Sequence, residues 1–244
     1  MAVRFAIRAW AACAPALQAP ADWRAWARAP RRPEGLLEAK LEAMPAMQRR
    51  RLNALGRAAA QAAWECHAPS PDVPAVFASR YGDAQRCLHL LQEFAATGAA
   101  SPADFTFSVH NAIGAMYSIS RGDAAPYSSI AAGPASAAAG VVEACALLAD
   151  GAPEVLLVCY DAPLPGAYAA FEDAPSCSYA WAWSVTAPAA GQPHFTLTWT
   201  AGEVAAAPAN DLPFGLDALR FVLSGQDAWQ APAGGRTWSW SRHA

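Results

Sequence analysis

The sequence has little charge. Only 15% of its 244 residues are Asp, Glu, Lys or Arg, whereas 55% are hydrophobic. That balance excludes a disordered chain, because burying so much apolar side chain outweighs the entropy lost on ordering. At this length a single domain over residues 1–244 is the simplest organisation. A formal net charge of −3 provides no overall field to recruit nucleic acid. The local basic clusters, Arg24, Arg28, Arg31, Arg32 and Arg49, Arg50, Arg51, read as solvated faces, with a docking patch for an acidic carrier protein as the second reading.

The six cysteines (Cys13, Cys66, Cys87, Cys145, Cys159, Cys177) form no C-x-x-C pair and no Cys/His cluster at zinc spacing. They read as free thiols of a reducing cytoplasm. Arg4 and Arg8 spoil the opening segment as a signal peptide, and the longest apolar runs meet Glu143 or Pro153 before spanning length. Neither export nor a bilayer is expected. The sequence also lacks a Gly-rich phosphate loop, an H-E-x-x-H motif, a Ser-His-Asp or paired-carboxylate spacing, and an aromatic–basic repeat for nucleic acid. No cofactor or metal is expected.

What the sequence does contain is an alternation of strands and helices. Strands are predicted at 3–13, 72–80, 127–131 and 154–160, and helices at 51–65, 85–94 and 111–120, which together imply a layered α/β fold. Leu52, Leu55, Ala59 and Ala62 make one helical stripe, and Cys87, Leu91 and Phe94 are expected to face inward from the next helix. The unbroken apolar run at 154–160 predicts a strand buried on both faces. Residues 134–150 (PASAAAGVVEACALLAD) are apolar nearly all round, with Ser136, Gly140, Glu143 and Asp150 on one narrow stripe. They predict a buried central helix whose small residues admit close neighbours.

Beyond Pro163, residues 177–185 and 195–199 alternate bulky with small or polar side chains. They read as half-buried strands paired antiparallel through the turn-rich link at 187–193. A helix near 214–223 and a strand at 237–241 close the chain. A core over 1–165 is thus followed by a Trp-rich β extension over 177–244.

Between residues 105 and 161 the order of features is specific. Asn111 opens a helix running through Ser118 and Ile119 to Arg121-Gly122. Pro126, then the strand Ser129-Ile130-Ala131, the long helix, Gly151 and the strand at 155–158 follow. This ungapped run resembles the segment around the active-site cysteine of β-ketoacyl synthases of the thiolase-like superfamily, and weaker similarity reaches back to the helix at Arg51. The size and the Trp-rich tail are similar to short, stand-alone members beside complete synthases in aryl-polyene-type pathways, some of them chain-length-factor-like. The resemblance implies a thiolase-like half, a layered mixed sheet with helices, carrying a β tail.

The departures from the family bear on activity. The resemblance places the acyl-accepting cysteine at the start of the long helix, and here Pro134 stands at that position. Proline has no nucleophile and no N–H for an oxyanion, although the first helical turn tolerates it. His194 and His243 lack the His-Gly-Thr context of the family. Residues 210–215 (NDLPFG) lack its glycine run and read as a loop. Cys145 and Cys159 sit in apolar stretches where a thiol is inert, and His89 and His110 read as structural.

The resemblance therefore implies a non-condensing, chain-length-factor-like accessory subunit in fatty-acid-type or polyketide-type (aryl polyene) biosynthesis. The alternatives are a small enzyme acting on acyl thioesters through an unidentified residue, and a decayed scaffold. Expected partners are a complete ketosynthase in a heterodimer, or a second copy, with an acyl carrier protein as a further one. The candidate dimer strand is Tyr127, Ser128, Ser129, Ile130 and Ala131, which in the family pairs across a two-fold axis.

Overall fold

The computed structural model describes residues 1–66, 72–202 and 211–244. The elements in chain order are β1 (Ala2–Cys13), α1 (Pro20–Arg28), α2 (Ala46–Arg49), α3 (Ala54–Cys66), β2 (Ala75–Ala78), α4 (Ala84–Thr97), α5 (Pro102–Ser108), α6 (Ala112–Arg121), β3 (Tyr127–Ile130), α7 (Ser136–Ala149), β4 (Val155–Asp161), a 3-10 turn (Gly166–Phe171), β5 (Tyr179–Thr186), β6 (His194–Ala201), α8 (Phe214–Ser224), β7 (Ala228–Ala233) and β8 (Arg236–His243). Local chemistry sets their ends. The Asp83 carboxylate caps α4 by accepting from the Arg86 backbone N–H at 3.1 Å, and Gly98, at φ 72°, supplies the left-handed residue that stops it.

Among the described residues the strands form one eight-stranded sheet in the order β3-β2-β4-β5-β1-β6-β8-β7. β2 pairs parallel with β3 and β4, and the other ladders are antiparallel. Helices lie on both faces. On one, α1, α7 and α8 cover Trp181, Trp183, Trp238 and Trp240. On the other, α3 and α6 cover Phe77, Leu156, Val158, Ala180 and Ala182. The layered mixed sheet expected from the sequence is present, and β4 is buried along its whole length. Among the described residues no helix is long and apolar enough to cross a membrane.

Three expectations are corrected. First, 177–185 is not half-buried: β5 is buried from Tyr179 to Val185, because it lies between β4 and β1 with a helix layer on each face. Its alternation is one of size, with tryptophans toward one layer and alanines toward α3. Second, β5 and β6 do not pair. β1 lies between them, joining β6 through Ala2 to Phe5 and β5 through Ala6 to Cys13, with an irregularity between Ile7 and Ala9. The long first strand thereby gains ladders on both edges, one of which a β5–β6 hairpin would leave open. Third, Leu91 and Phe94 do not face inward. They are 51% and 54% exposed, Cys87 is half-buried, and Leu90 is the buried residue of α4. A periodic stripe shows that a helix has an apolar face but not what covers it, and α4 leans on α5 instead of the sheet.

The Pro/Arg-rich connection after β1 also holds an unexpected helix, α1. Pro20 opens it, Asp22 lies in its first turn, and the buried Trp23 indole donates to Ala12 O at 3.0 Å. α7 begins two residues beyond Pro134 and buries one face, including Ala137, Gly140, Val141 and Ala144, while Ala146 and Ala149 remain exposed. Gly140 lies on the sheet side. A Cβ there would stand 2.9 Å from Leu157 Cδ1 and 3.0 Å from Ala78 Cβ, so its absence lets α7 press onto β2 and β4.

Candidate functional site

The turn from β3 into α7 is closed on itself. The Ala135 N–H donates to Ala132 O at 3.2 Å and the Ser136 N–H to Gly133 O at 3.1 Å. Ser136 Oγ donates to Gly133 O at 2.7 Å and accepts from the Ala132 N–H at 3.0 Å. Gly133 takes φ 54° to make the bend. Pro134, half-buried, brings neither a nucleophile nor a donor, and the backbone N–H groups of Ala132, Ala135 and Ser136 are committed within the turn. Gly234, at the tip between β7 and β8, approaches the same turn. A Cβ built on it lies 3.5 Å from Ala135 Cβ and 3.8 Å from Ala132 O, so the C-terminal hairpin covers the start of α7.

β3 forms one edge of the sheet. Its partner β2 takes the inward backbone groups: the Ala75 N–H donates to Pro126 O and the Ser79 N–H to Ile130 O, at 3.0 and 3.1 Å. In a parallel ladder this alternation turns the N–H and C=O of Tyr127, Ser129 and Ala131 outward. Among the described residues, the buried hydroxyls of Ser120, Ser128 and Ser129 have no hydrogen-bond partner. α6, which packs against β3, exposes Ile119 (64%), and α5 and the residue after it, packed on α6, expose Phe105 (60%) and Val109 (38%). At the opposite edge, β7 carries Pro232, a residue that blunts edge pairing, whereas β3 carries none.

A polar cluster lies at the carboxyl ends of β2 and β4. Asp161 is buried, and its carboxyl accepts from Ser79 Oγ (3.0 Å), the Arg80 N–H (2.8 Å) and the Tyr179 hydroxyl (3.3 Å). Burial pushes its pKa from 3.8 up to about 6, against the lowering effect of these donors and of the Arg80 charge. The Arg80 guanidinium reaches across to Asp173 and to Pro175 O at 3.2 Å. Tyr81 donates to Phe171 O at 3.2 Å. Together they fasten the 3-10 turn and the irregular segment after it over the ends of the sheet. Gly215, in the first turn of α8, must be glycine, since a Cβ would collide with the Tyr179 hydroxyl and stand 3.1 Å from Cys159 Sγ.

Cys159 is fully buried, and burial holds its pKa well above the ordinary thiol value; Cys145 is pushed up to about 12 for the same reason. Cys13, Cys66 and Cys177 are likewise raised, to about 11, 12 and 12, with burial the largest cause. His194 and His243 lie opposite one another on β6 and β8, with stacked rings 4.6 Å apart, on strands remote in the sheet from β3. His110 bonds to Ser79 O at 3.1 Å and His89 is exposed. Residues 210–215 are not wholly a loop: Phe214 starts α8, while Asn210 lies outside the described residues. Of the basic clusters, Arg24 lies over Trp10 and Arg32 pairs with Asp211. Arg49 donates to Leu41 O, and Arg51 lies with Arg86 over the Phe107 ring.

Asp161, Gly215 and Gly234 carried no signal in the sequence. Each matters through residues far along the chain, and no local motif marks it.

The family model described as "Beta-ketoacyl synthase, N-terminal domain" matches residues 23–241. Among curated proteins no match is found. Among solved structures, a chain of the ketosynthase ApeO in complex with its chain length factor ApeC, from Xenorhabdus doucetiae, is 27% identical. The alignment covers 98% of this chain and 100% of that one, with a TM-score of 0.83. A chain of AntDE:AntF, a type II PKS acyl-carrier protein in complex with its ketosynthase bound to the hexaketide, shares the fold at 10% identity, with 99% of each chain covered and a TM-score of 0.74. The ishigamide ketosynthase/chain length factor shares it at 11% identity, over 77% of this chain and 59% of that one, with a TM-score of 0.56.

Proposed function

Because the chain belongs to the β-ketoacyl synthase N-terminal domain family, we propose that it is a non-condensing, chain-length-factor-like subunit that supports a complete ketosynthase in polyketide-type, aryl-polyene-like, biosynthesis. In this reading residues 1–244 act as one domain and Pro134 stands where the family carries its nucleophile. The turn at 132–136 and the hairpin tip over it support the loss of condensation, since no thiol is present at Pro134 and the N–H groups of Ala132, Ala135 and Ser136 are spent within the turn. The likeness to a chain of the ApeO–ApeC complex, along the full length of both, supports the accessory role.

The observation that carries the proposal is the open β3 edge. Tyr127, Ser129 and Ala131 turn three unpaired backbone positions outward beside buried, unpartnered serine hydroxyls, next to α6 with its exposed Ile119. Such an edge is a template for a second strand. A ketosynthase pairing its own edge strand there fits better than a second copy of this chain, because a copy would bring the same unpartnered hydroxyls and no active cysteine. An acyl carrier protein is a further partner. Its acidic surface would meet Arg50 and Arg51, which are exposed, beside Arg86.

The test is size-exclusion chromatography with light scattering on the chain co-expressed with its genomic-neighbour ketosynthase. A 1:1 complex is expected. Ser129→Pro removes an outward N–H without touching the β2 ladder, so it should abolish the complex while the monomer keeps its circular dichroism. A wild-type chain that stays monomeric beside the ketosynthase refutes the reading.

A further inference from the structure

At the carboxyl ends of β2 and β4, beside the Asp161 cluster, a cavity of ≈ 360 Å³ opens between α4, the end of α5 and the 3-10 turn. Its walls are largely apolar, with Leu164, Tyr168 and Phe171 on one side and Ala84 on the other. The volume is at the small end of the range for sites that enclose small molecules, and the crevice outside the carboxyl ends of parallel strands is where open α/β sheets hold ligands. The wall formed by the 3-10 turn does not hang free. Arg80 and Tyr81 tie it down through Asp173, Pro175 O and Phe171 O, so the cavity is held open before a ligand arrives.

Of the reactive or ionisable side chains that line this cavity, Asp83 is held by Arg86 and Tyr81 by Phe171 O, and Cys87 and His110 line it as well. Cys87 lies in the second half of the first turn and a half of α4, and it is half-buried. Four of the other five thiols are buried. The fifth, Cys145, donates to Arg4 O. The His110 bond to Ser79 O is to a carbonyl, which can only accept. Nε2 is therefore the donor, and Nδ1 is the ring nitrogen available to act as a base toward a thiol.

We propose that Cys87 and His110 form an acyl-accepting thiol site, separate from the Pro134 turn, that takes a medium-length apolar acyl group from a thioester into this cavity. The choice of an acyl thioester as donor rests on the proposed function. Imidazole Nδ1 removes the thiol proton, and the sulfur attacks the acyl carbonyl. The new C–S bond forms as the old one breaks, and the departing thiolate takes the proton from the imidazolium. One thioester replaces another, so no oxidant or reductant is needed. The apolar walls favour a chain over an acetyl group because each added methylene leaves water. The site adds a charged state to the accessory reading: a subunit that cannot condense can still hold an acyl group.

The experiment incubates the full chain at pH 7.5 with octanoyl- or acetyl-N-acetylcysteamine and follows intact mass, with peptide mapping of the adduct. A single octanoyl adduct at Cys87 is expected, forming at least tenfold faster than the acetyl adduct and absent in Cys87→Ala. His110→Phe should slow it at least tenfold and flatten its pH dependence between pH 6 and 8, whereas a merely structural role would leave that profile unchanged. Adducts spread over several cysteines overturn the proposal, as does a Cys87 adduct indifferent to acyl length or to His110. Co-elution of Cys87→Ala with the ketosynthase is measured separately. Failure to label with the complex intact refutes this site alone, and labelling without a complex refutes the accessory-subunit reading alone.

Discussion

Replacing Asp161 by asparagine should make the protein more stable at neutral pH, although Asp161 receives three hydrogen bonds. Burial moves its pKa from 3.8 to about 6, so the fold prefers the neutral carboxyl. For an acid whose pKa is raised on folding, the stabilising contribution is fully present below the unfolded value and is lost as pH rises through the folded one. The shift is about two units, or ~3 kcal/mol at 1.36 kcal/mol per unit, and the loss falls in the window from about pH 4 to pH 6. Asparagine keeps the acceptor for Ser79 Oγ and the Arg80 N–H. Its amide can donate to the Tyr179 oxygen while that hydroxyl turns toward Cys159 Sγ, 3.9 Å away, so no buried group is orphaned. Urea titrations of both proteins from pH 4 to 7.5 would measure this. Asp161→Asn should be the more stable at pH 7.5, and its advantage should shrink by ~2–3 kcal/mol on reaching pH 4. Parallel stability profiles over that range would refute the reasoning, because they would mean that the carboxyl titrates alike in both states.

Two further outcomes follow from the same geometry. Gly215→Ala should destabilise by ~2–3 kcal/mol through overpacking, since its methyl meets the Tyr179 hydroxyl and Cys159 Sγ in a fully buried site; calorimetry should show Tm lower by about 5–10 °C. Pro134→Cys should restore no condensation when the purified chain is given acyl and malonyl thioesters and the products are read by mass spectrometry. The Ala135 N–H stays bound to Ala132 O, and among the described residues no histidine bonds to the turn; product formed by the variant alone would contradict this.

The sequence was most legible where structure is local. The run from Asn111 to Asp161 carries its own periods and caps, so α6, β3, α7 and β4 could be placed from spacing alone, and the family resemblance rests on them. The tail was legible element by element but not in its pairing. Nothing in residues 177–199 says that β1, some 170 residues earlier in the chain, will lie between β5 and β6. The alternation in β5 was visible, but Ala180 and Ala182 read as the outer face of a half-buried strand when they are the seat of α3. The open edge was foreseen only through the resemblance, because an unpaired strand and a paired one have the same period. Asp161 could not be foreseen at all: it ends an apolar run like any strand terminus, and its role depends on Ser79 and Tyr179 arriving from distant segments.

The position of β1 also dictates the order of assembly. This strand comes before both of its neighbours, β5 and β6, which lie beyond residue 178. During synthesis it must wait with both edges open until β5 and β6 have left the ribosome, so the middle of the sheet closes late and through distant contacts. Slow folding and a dependence on chaperones are the natural cost of that topology. A fragment ending before β5 would be a poor reagent, with an aggregation-prone strand that has no place to go.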